Sequence, residues 1–406
     1  MRSKKFIYIG FLLSLSAIFS SGLAYGYQIL VSNYLSPKEY AEISFLVAFS
    51  VIFAAPFGGL LLKFTRDVSV RLTDKKYKLE AEYFQLIKLT FFYAPIIFIL
   101  SFIIFIVPEE NTLSKSFHQA LFIVNLTTLL IFLQINSGVF IGRKDFISQG
   151  AYQLKLNILK ILFFFFLIYI GKITTALCLL ALIFSYLVIF VDGYKNLFPF
   201  TIKRNIQIVK FESPLKYKNI VSITLANIVI IGLMQLDIVF VNLFFSKDIS
   251  GNYAVASLLG KSIFFLPVSL SDSHFSYFSE NKLGDTKPDL YRSLIYTFFT
   301  SICCCLFFFL FSHQIINLFF GNKYIYAAGI LKFYSLLILP IGFVFILENY
   351  FIAQKQYFYV WILFVLIFLA CIFILFFHEE IYFIPLAFGA SSFVFSFISI
   401  FNLLKK

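Results

Sequence analysis

Charge is what this sequence has least of. Only 13% of its 406 residues are Asp, Glu, Lys or Arg, and the acids number 20 against 33 Lys and Arg. With 61% hydrophobic and 21% aromatic residues, a soluble fold of this size has no way to cover its apolar surface. Cysteine is sparse too. Cys178, Cys303, Cys304, Cys305 and Cys371 all fall inside apolar runs, without metal-ligand spacing or an extracellular pairing pattern. A metal centre and a disulfide scaffold are therefore excluded, and no cofactor is expected. No paired carboxylates and no phosphate-loop motif occur. One set of links holds only about ten residues each, too few for a reaction centre that needs converging titratable groups. The net charge of +13 raises nucleic acid as a partner, but the bases sit in links between apolar runs, where membrane topology explains them.

Long apolar runs are what remains, and they define a helical, polytopic membrane protein. Twelve spans are expected, near 6–32, 40–62, 86–107, 118–141, 149–170, 174–193, 218–244, 251–272, 291–312, 326–349, 358–377 and 381–402. The basic start and small residues of the first run imitate a secretory signal. Its apolar stretch continues to Val31, longer than a cleaved signal has, so it is read as an uncleaved span. Alternate links carry 23 Lys and Arg on one side against 5 on the other, namely Lys38, Lys115, Lys172, Lys247 and Lys323. By the positive-inside rule both termini are expected in the cytoplasm.

The longest link, Tyr194 to Asn219, is basic and contains Pro199 and Pro214. It divides the chain into a six-helix lobe over 1–193, a cytoplasmic linker over 194–219 and a second six-helix lobe over 220–406. A weak repeat relates the two. Ser36-Pro-Lys-Glu-Tyr-Ala-Glu-Ile recurs in outline as Ser246-Lys-Asp-Ile-Ser-Gly-Asn-Tyr, and Phe140-Ile-Gly-Arg-Lys-Asp-Phe as Phe351-Ile-Ala-Gln-Lys-Gln-Tyr. Pro56 and Pro267 stand at nearly the same offset. An even number of spans per half makes this a parallel repeat, for which a substrate site between the halves is the expectation.

These landmarks resemble the multidrug/oligosaccharidyl-lipid/polysaccharide (MOP) exporter superfamily, which includes the MATE transporters. They are most similar to its O-antigen and capsular polysaccharide flippases (Wzx-like). The carrying residues are Tyr34-Leu-Ser-Pro-Lys-Glu-Tyr-Ala41, Ser246-Lys-Asp-Ile-Ser-Gly-Asn-Tyr-Ala-Val-Ala256, Ile315-Ile-Asn-Leu-Phe-Phe-Gly-Asn-Lys-Tyr324 and Tyr350-Phe-Ile-Ala-Gln-Lys-Gln356. Ala41 departs from the glycine that stands at Gly251 in the second copy. The resemblance implies a multi-pass protein of the bacterial cytoplasmic (inner) membrane, not an enzyme. It would flip an undecaprenyl-diphosphate-linked oligosaccharide of lipopolysaccharide O-antigen or capsule biosynthesis to the outer leaflet by alternating access. Its implied partners are the lipid-linked glycan, the bilayer, a coupling ion (proton or sodium) and other polysaccharide-assembly membrane proteins. The alternative is a MATE-type cation or drug antiporter.

A diphosphate crossing low dielectric needs cations, and sugars need polar walls. Lys160 lies about 11 residues into span five, roughly 16 Å deep, and Lys261 about 10 into span eight, roughly 15 Å deep. Gln153, Asn157 and Lys160 share one helical face. Arg66 at the cytoplasmic end of span two and Lys332 in span ten are further candidate contacts. Gln28 on a small-residue face of span one and Asn136 in span four complete the candidate substrate set. Asp237 is the candidate ion-coupling acid. An internal salt bridge with a lysine is the alternative for Asp237, but Asp237 and Lys261 stand 14 and 10 positions from Gly251, a depth difference of about four residues that argues against contact between these two.

Overall fold

The computed structural model describes residues 19–71, 79–106, 113–198, 220–265, 267 and 283–405. Among them no strand occurs. Helix α1 covers 19–34. It is followed by α2 Pro37–Ala54, a 3-10 turn Ala55–Phe57, α3 Gly58–Arg71, α4 Leu79–Ile106, α5 Leu113–Gly142, α6 Phe146–Ile170 and α7 Thr175–Leu197. The second half contains α8 Ile220–Phe244, α9 Lys247–Gly260, a 3-10 turn Lys261–Phe264, α10 Leu283–Phe320, a 3-10 turn Asn322–Tyr324, α11 Ile325–Leu337, α12 Ile341–Ala353, α13 Phe358–Phe376 and α14 Phe383–Lys405. Among the described residues ten stretches are long and apolar enough to cross a membrane. They coincide with expected spans two to seven and nine to twelve. The start of span one and the end of span eight lie outside the described residues, as does most of the basic link, 199–219.

Several spans expected as single helices are interrupted. Span two breaks at Ala55–Phe57, where Pro56 supplies no N–H to the helix. Span eight tightens into a 3-10 turn at Lys261. Span ten breaks around Pro340, where Ile341 N donates to Ile338 O at 2.9 Å and Gly342 N to Leu339 O at 3.2 Å. The hydrogen bonds thus step from i−4 to i−3 across the proline. In a membrane, such breaks free backbone polar groups and are tolerated only where protein or a polar cavity satisfies them.

By its contacts the chain forms two compact units. One takes in residues up to Leu35 together with Phe49–Ile220. The other takes in Ser36–Ala48 and Val221–Lys406. In the first unit α5 packs against α3, α4, α6 and α7. Gly138 and Gly142 on α5 are one turn apart. A Cβ at Gly142 would lie 2.7 Å from the Val68 side chain and 2.8 Å from the Thr65 carbonyl oxygen. This small-xxx-small face brings two helices to backbone contact, the packing that works where lipid removes the hydrophobic driving force.

In the second unit α9 and α10 both pack on α11, and α14 packs on α12 and α13. The start of α2 joins this unit. Ser36 and Glu39 form a reciprocal cap, Ser36 N donating to Glu39 Oε2 at 2.9 Å and Glu39 N to Ser36 Oγ at 3.4 Å. The capped turn meets α9 through a Lys38–Asp248 ion pair at 3.3 Å, and Lys247 Nζ lies 5.3 Å from the Phe45 ring centroid. Gly251 is required by this docking. A Cβ there would fall 2.0 Å from the Pro37 carbonyl oxygen, so Gly251 answers to a close backbone approach rather than to turn geometry. On the opposite flank a Cβ at Gly389 would fall 1.9 Å from the Leu337 carbonyl oxygen. There α14 lies tight against the break of span ten.

The repeat seen in sequence is reproduced in backbone detail. Lys144 and Lys355 both have φ of 58°, a left-handed conformation. Asp145 N donates to Phe140 O and Lys144 N to Ile141 O, each at 2.9 Å. Gln356 N donates to Phe351 O at 2.8 Å and Lys355 N to Ile352 O at 3.0 Å. Each is the paired-bond ending that satisfies the last carbonyls of a helix.

Replacing Gly251 by Ala is expected to lower stability by about 1–3 kcal/mol, as overpacking does. Gly329→Ala, where a Cβ meets nothing within 4 Å inside α11, is expected to be neutral or to add up to about 1 kcal/mol. Thermal unfolding in detergent checks both. Equal behaviour of the two variants would contradict the close approach at Pro37.

Candidate functional site

In the second unit, Asp237 on α8 and Lys261 at the α9 break meet. Lys261 Nζ lies 2.9 Å from Asp237 Oδ1, so the internal salt bridge that stood as the alternative for Asp237 is formed, against the depth count for this particular lysine. Asp237 stands seven residues before the end of α8 and Lys261 fourteen after the start of α9, a depth difference of about 10 Å along the helices. Side chains lean toward the N-terminus of their own helix. These two helices run in opposite directions, so aspartate and lysine lean toward each other and the long lysine stem closes the gap.

Three hydroxyls complete the cluster. Tyr334 of α11 donates to Asp237 Oδ2 at 2.7 Å, and Ser257 and Tyr253 of α9 approach the same oxygen at 3.0 and 3.3 Å. Ser257 Oγ also lies 3.0 Å from Tyr334 OH, so its single proton serves one neighbour at a time. The Tyr253 and Tyr334 rings meet edge to face at 5.5 Å. Asp237 itself is 2% exposed. An ionised carboxylate is acceptor-only, and every neighbour here brings it a proton. Among the described residues Asp237 is the one hydrogen-bond partner of Lys261, whose side chain is 11% exposed. The ammonium therefore has two further donors.

Tyr253, Ser257 and Lys261 recur every four residues along α9, a spacing that could have identified the face. Tyr334 arrives from 97 positions away and left no local signal. Glu348 on α12 was also missed. It is 3% exposed, and its Oε1 is buried without a hydrogen-bond partner among the described residues.

In the first unit, Asn157 is buried and binds Ser20 of α1 through the backbone oxygen at 2.9 Å and the hydroxyl at 2.8 Å. Lys160 Nζ donates to Asn157 Oδ1 at 3.3 Å and lies 5.0 Å from the Tyr186 ring centroid. It is half-buried near the middle of α6, and among the described residues no carboxylate pairs with it. Gln153, on the same face, is exposed, and Gln28 is half-buried. Asn136 is fully buried. Tyr83 OH donates to its Oδ1 at 2.6 Å, and its Nδ2 donates to Phe190 O at 3.0 Å and reaches Tyr152 OH at 3.2 Å. Asn136 thus ties α4, α5, α6 and α7 together inside a closed core. Arg66 is exposed on α3. In the second unit Lys332 is half-buried, 4.4 Å from the Phe309 ring centroid. Within the first unit Lys160 and Asn157 form one cluster, with Gln153 on the same face, and Arg66 and Asn136 stand outside it. Within the second unit Lys261 and Asp237 form another, and Lys332 stands outside that one.

No family model and no curated protein sequence matches the chain. Solved structures match its fold throughout. A lipid II flippase, MurJ, in an inward closed conformation superposes with a TM-score of 0.74 at 18% identity, covering 98% of this chain and 88% of that one. A multidrug resistance MATE family transporter of the MOP superfamily, inward-facing, gives 0.72 at 14% identity, covering 95% and 94%. A eukaryotic MATE transporter gives 0.66 at 12% identity, covering 100% and 96%. The chain therefore has the all-helical fold of these membrane transporters.

The buried pair predicts energetic coupling. Asp237→Asn and Lys261→Met are each expected to cost about 3–5 kcal/mol, because each leaves one buried charge without its partner. The double variant is expected to cost clearly less than their sum. Unfolding in detergent across the four proteins checks this, and additive losses would show that the pair is not coupled.

Proposed function

We propose that this chain flips an undecaprenyl-diphosphate-linked oligosaccharide, an O-antigen or capsular repeat unit, from the cytoplasmic to the outer leaflet of the bacterial inner membrane by alternating access. In this reading residues 1–193 and 220–406 act as two lobes joined by the basic linker 194–219, with both termini in the cytoplasm. The transport fold supports it, and one observation carries it. Lys160 sits near the middle of a membrane span with an amide oxygen and an aromatic face as its neighbours, and with no carboxylate paired to it among the described residues. A cation at that depth is costly, and an anionic diphosphate passing through would supply the missing counter-charge.

Each side chain then has a task. Arg66 draws the diphosphate from the cytoplasmic end. Asn157, held by α1, positions the Lys160 ammonium, and Gln153 and Gln28 offer hydrogen bonds to sugar hydroxyls. Asn136 keeps the surrounding helices in register, and Lys332 gives a further cation. Lys261 reaches the diphosphate with the donors that Asp237 does not use. When it turns to the substrate, Asp237 retains three hydroxyl neighbours and takes up the coupling ion, a proton or sodium.

The first twelve residues of α2 belong with the second unit and the rest with the first. Any motion between the units must therefore bend α2 or release its start from α9. One observation favours the alternative, a MATE-type cation or drug antiporter. Glu348 is a buried carboxyl with one oxygen unpartnered among the described residues, the sort of group that takes a cation. Asp237, by contrast, is already matched by an ammonium and hydroxyls.

Deleting the gene in its host is expected to trap lipid-linked repeat units on the inner leaflet and abolish the surface glycan. Lys160→Gln is expected to lower export at least about tenfold, the factor for about 1.4 kcal/mol of lost anion compensation, with normal protein in the membrane and partial rescue by Lys160→Arg. Glycan labelling at the cell surface reads both. Normal glycan in the deletion strain, together with ethidium efflux by the wild type that Glu348→Gln abolishes, would instead establish the antiporter.

A further inference from the structure

An open groove of about 720 Å³ lies where α12 ends, α13 begins and α14 ends, lined by Lys355, Gln356, Tyr357, Phe358, Tyr359, Asn402 and Lys405. It belongs wholly to the second unit and has no part in the reading above. Its polar floor is cationic. Lys355 and Lys405 are exposed, and among the described residues neither is paired with a carboxylate. Lys405 Nζ rests 4.3 Å from the Phe401 ring centroid. A third lysine, Lys287 of α10, donates to the Leu403 carbonyl oxygen at 2.9 Å, and the neighbouring Asp289 is occupied by Arg292 at 3.2 Å.

The surface beside the lysines is apolar and exposed. Phe358 lines the groove, and Trp361 on α13 and Phe401 and Leu404 on α14 are exposed large apolar side chains. One-sided charge beside an outward apolar wall is the profile of a boundary between headgroups and acyl chains. The direction in which the Lys355 side chain leaves the backbone is fixed, since its residue is held left-handed by the paired-bond helix ending at φ 58°.

We propose that this groove is a binding site for an anionic phospholipid of the bilayer. The lipid phosphate sits between Lys355 and Lys405, with Asn402 offering a hydrogen bond, and an acyl chain lies along Phe358, Trp361 and Phe401. The lysine and arginine distribution predicts that this end faces the cytoplasm, the leaflet where juxtamembrane lysines meet anionic lipid. The lipid bridges α13 and α14, so it fastens the end of the unit without entering the transport path.

The test is native mass spectrometry of the full chain released from micelles with equal phosphatidylglycerol and phosphatidylcholine. The wild type is expected to retain phosphatidylglycerol preferentially. Lys355→Asn, which keeps a residue tolerant of the left-handed backbone, combined with Lys405→Gln, is expected to cut that preference on the order of 20-fold, about fivefold per lysine. Lys405→Gln alone, at an exposed helix end, gives the single-lysine step should the double variant not fold. Lys172→Gln in the other unit is expected to change nothing. Equal retention of the two lipids by the wild type, or an unchanged preference in Lys405→Gln, would overturn the proposal. So would inorganic phosphate raising the melting temperature of the delipidated protein as much as phosphatidylglycerol does, since the site would then take a free anion and not a lipid.

Discussion

A charge inside a hydrocarbon layer has to be neutralised, hydrogen-bonded or returned to water, and the polar interior of this chain is organised by that constraint. Asp237 meets it most completely, with an ammonium on one oxygen and hydroxyls clustered on the other. Lys160 meets it only in part, through an amide oxygen and an aromatic face. Glu348 has one oxygen unmatched among the described residues. The degree of compensation ranks these groups by the affinity they have left for a counter-charge. A carboxylate matched on both oxygens holds helices together for as long as its ammonium stays, whereas an incompletely satisfied ammonium or carboxyl has affinity to spare.

Backbone polarity obeys the same rule. Helices dominate because each satisfies its own N–H and C=O groups, and the interruptions fall at Pro56, Pro340 and Lys261. Two of these breaks coincide with close packing or with the ionic cluster. Gly389 admits the Leu337 carbonyl at one of them. At another, Lys261 leaves the helix axis where Asp237 waits. The same economy explains the glycines of α5 and the glycine at 251, which let backbones approach in a medium that gives no hydrophobic reward for burying larger side chains.

Much of this was legible in the residues themselves. Ten of the expected spans coincide with spanning helices because about 20 apolar residues have few other fates. The repeat was visible as paired short motifs, and its backbone counterpart at Lys144 and Lys355 follows from the same local hydrogen bonding. The depth of Lys160 and its link to Asn157 were readable because a helix puts positions three apart on one face. What lay out of reach was pairing between helices. The depth count kept Asp237 and Lys261 apart because it ignored the opposite lean of side chains on antiparallel helices. Asn136 read as a polar wall residue, yet three helices converge on it. The breaks within spans two and ten were missed because a proline in an apolar run does not reveal whether the chain bends or continues.

The sequence by itself determined that the chain is an all-helical membrane protein with a duplicated plan, because hydrophobic length, charge bias between links and helical periodicity act along the chain. The tertiary structure alone decided which charges are compensated. Tyr334, Ser257 and Tyr253 converge on Asp237 through helix packing, and the start of α2 joins the second unit against Gly251. Those are contacts between distant segments, and their energies depend on angles and distances that no local pattern of residues records.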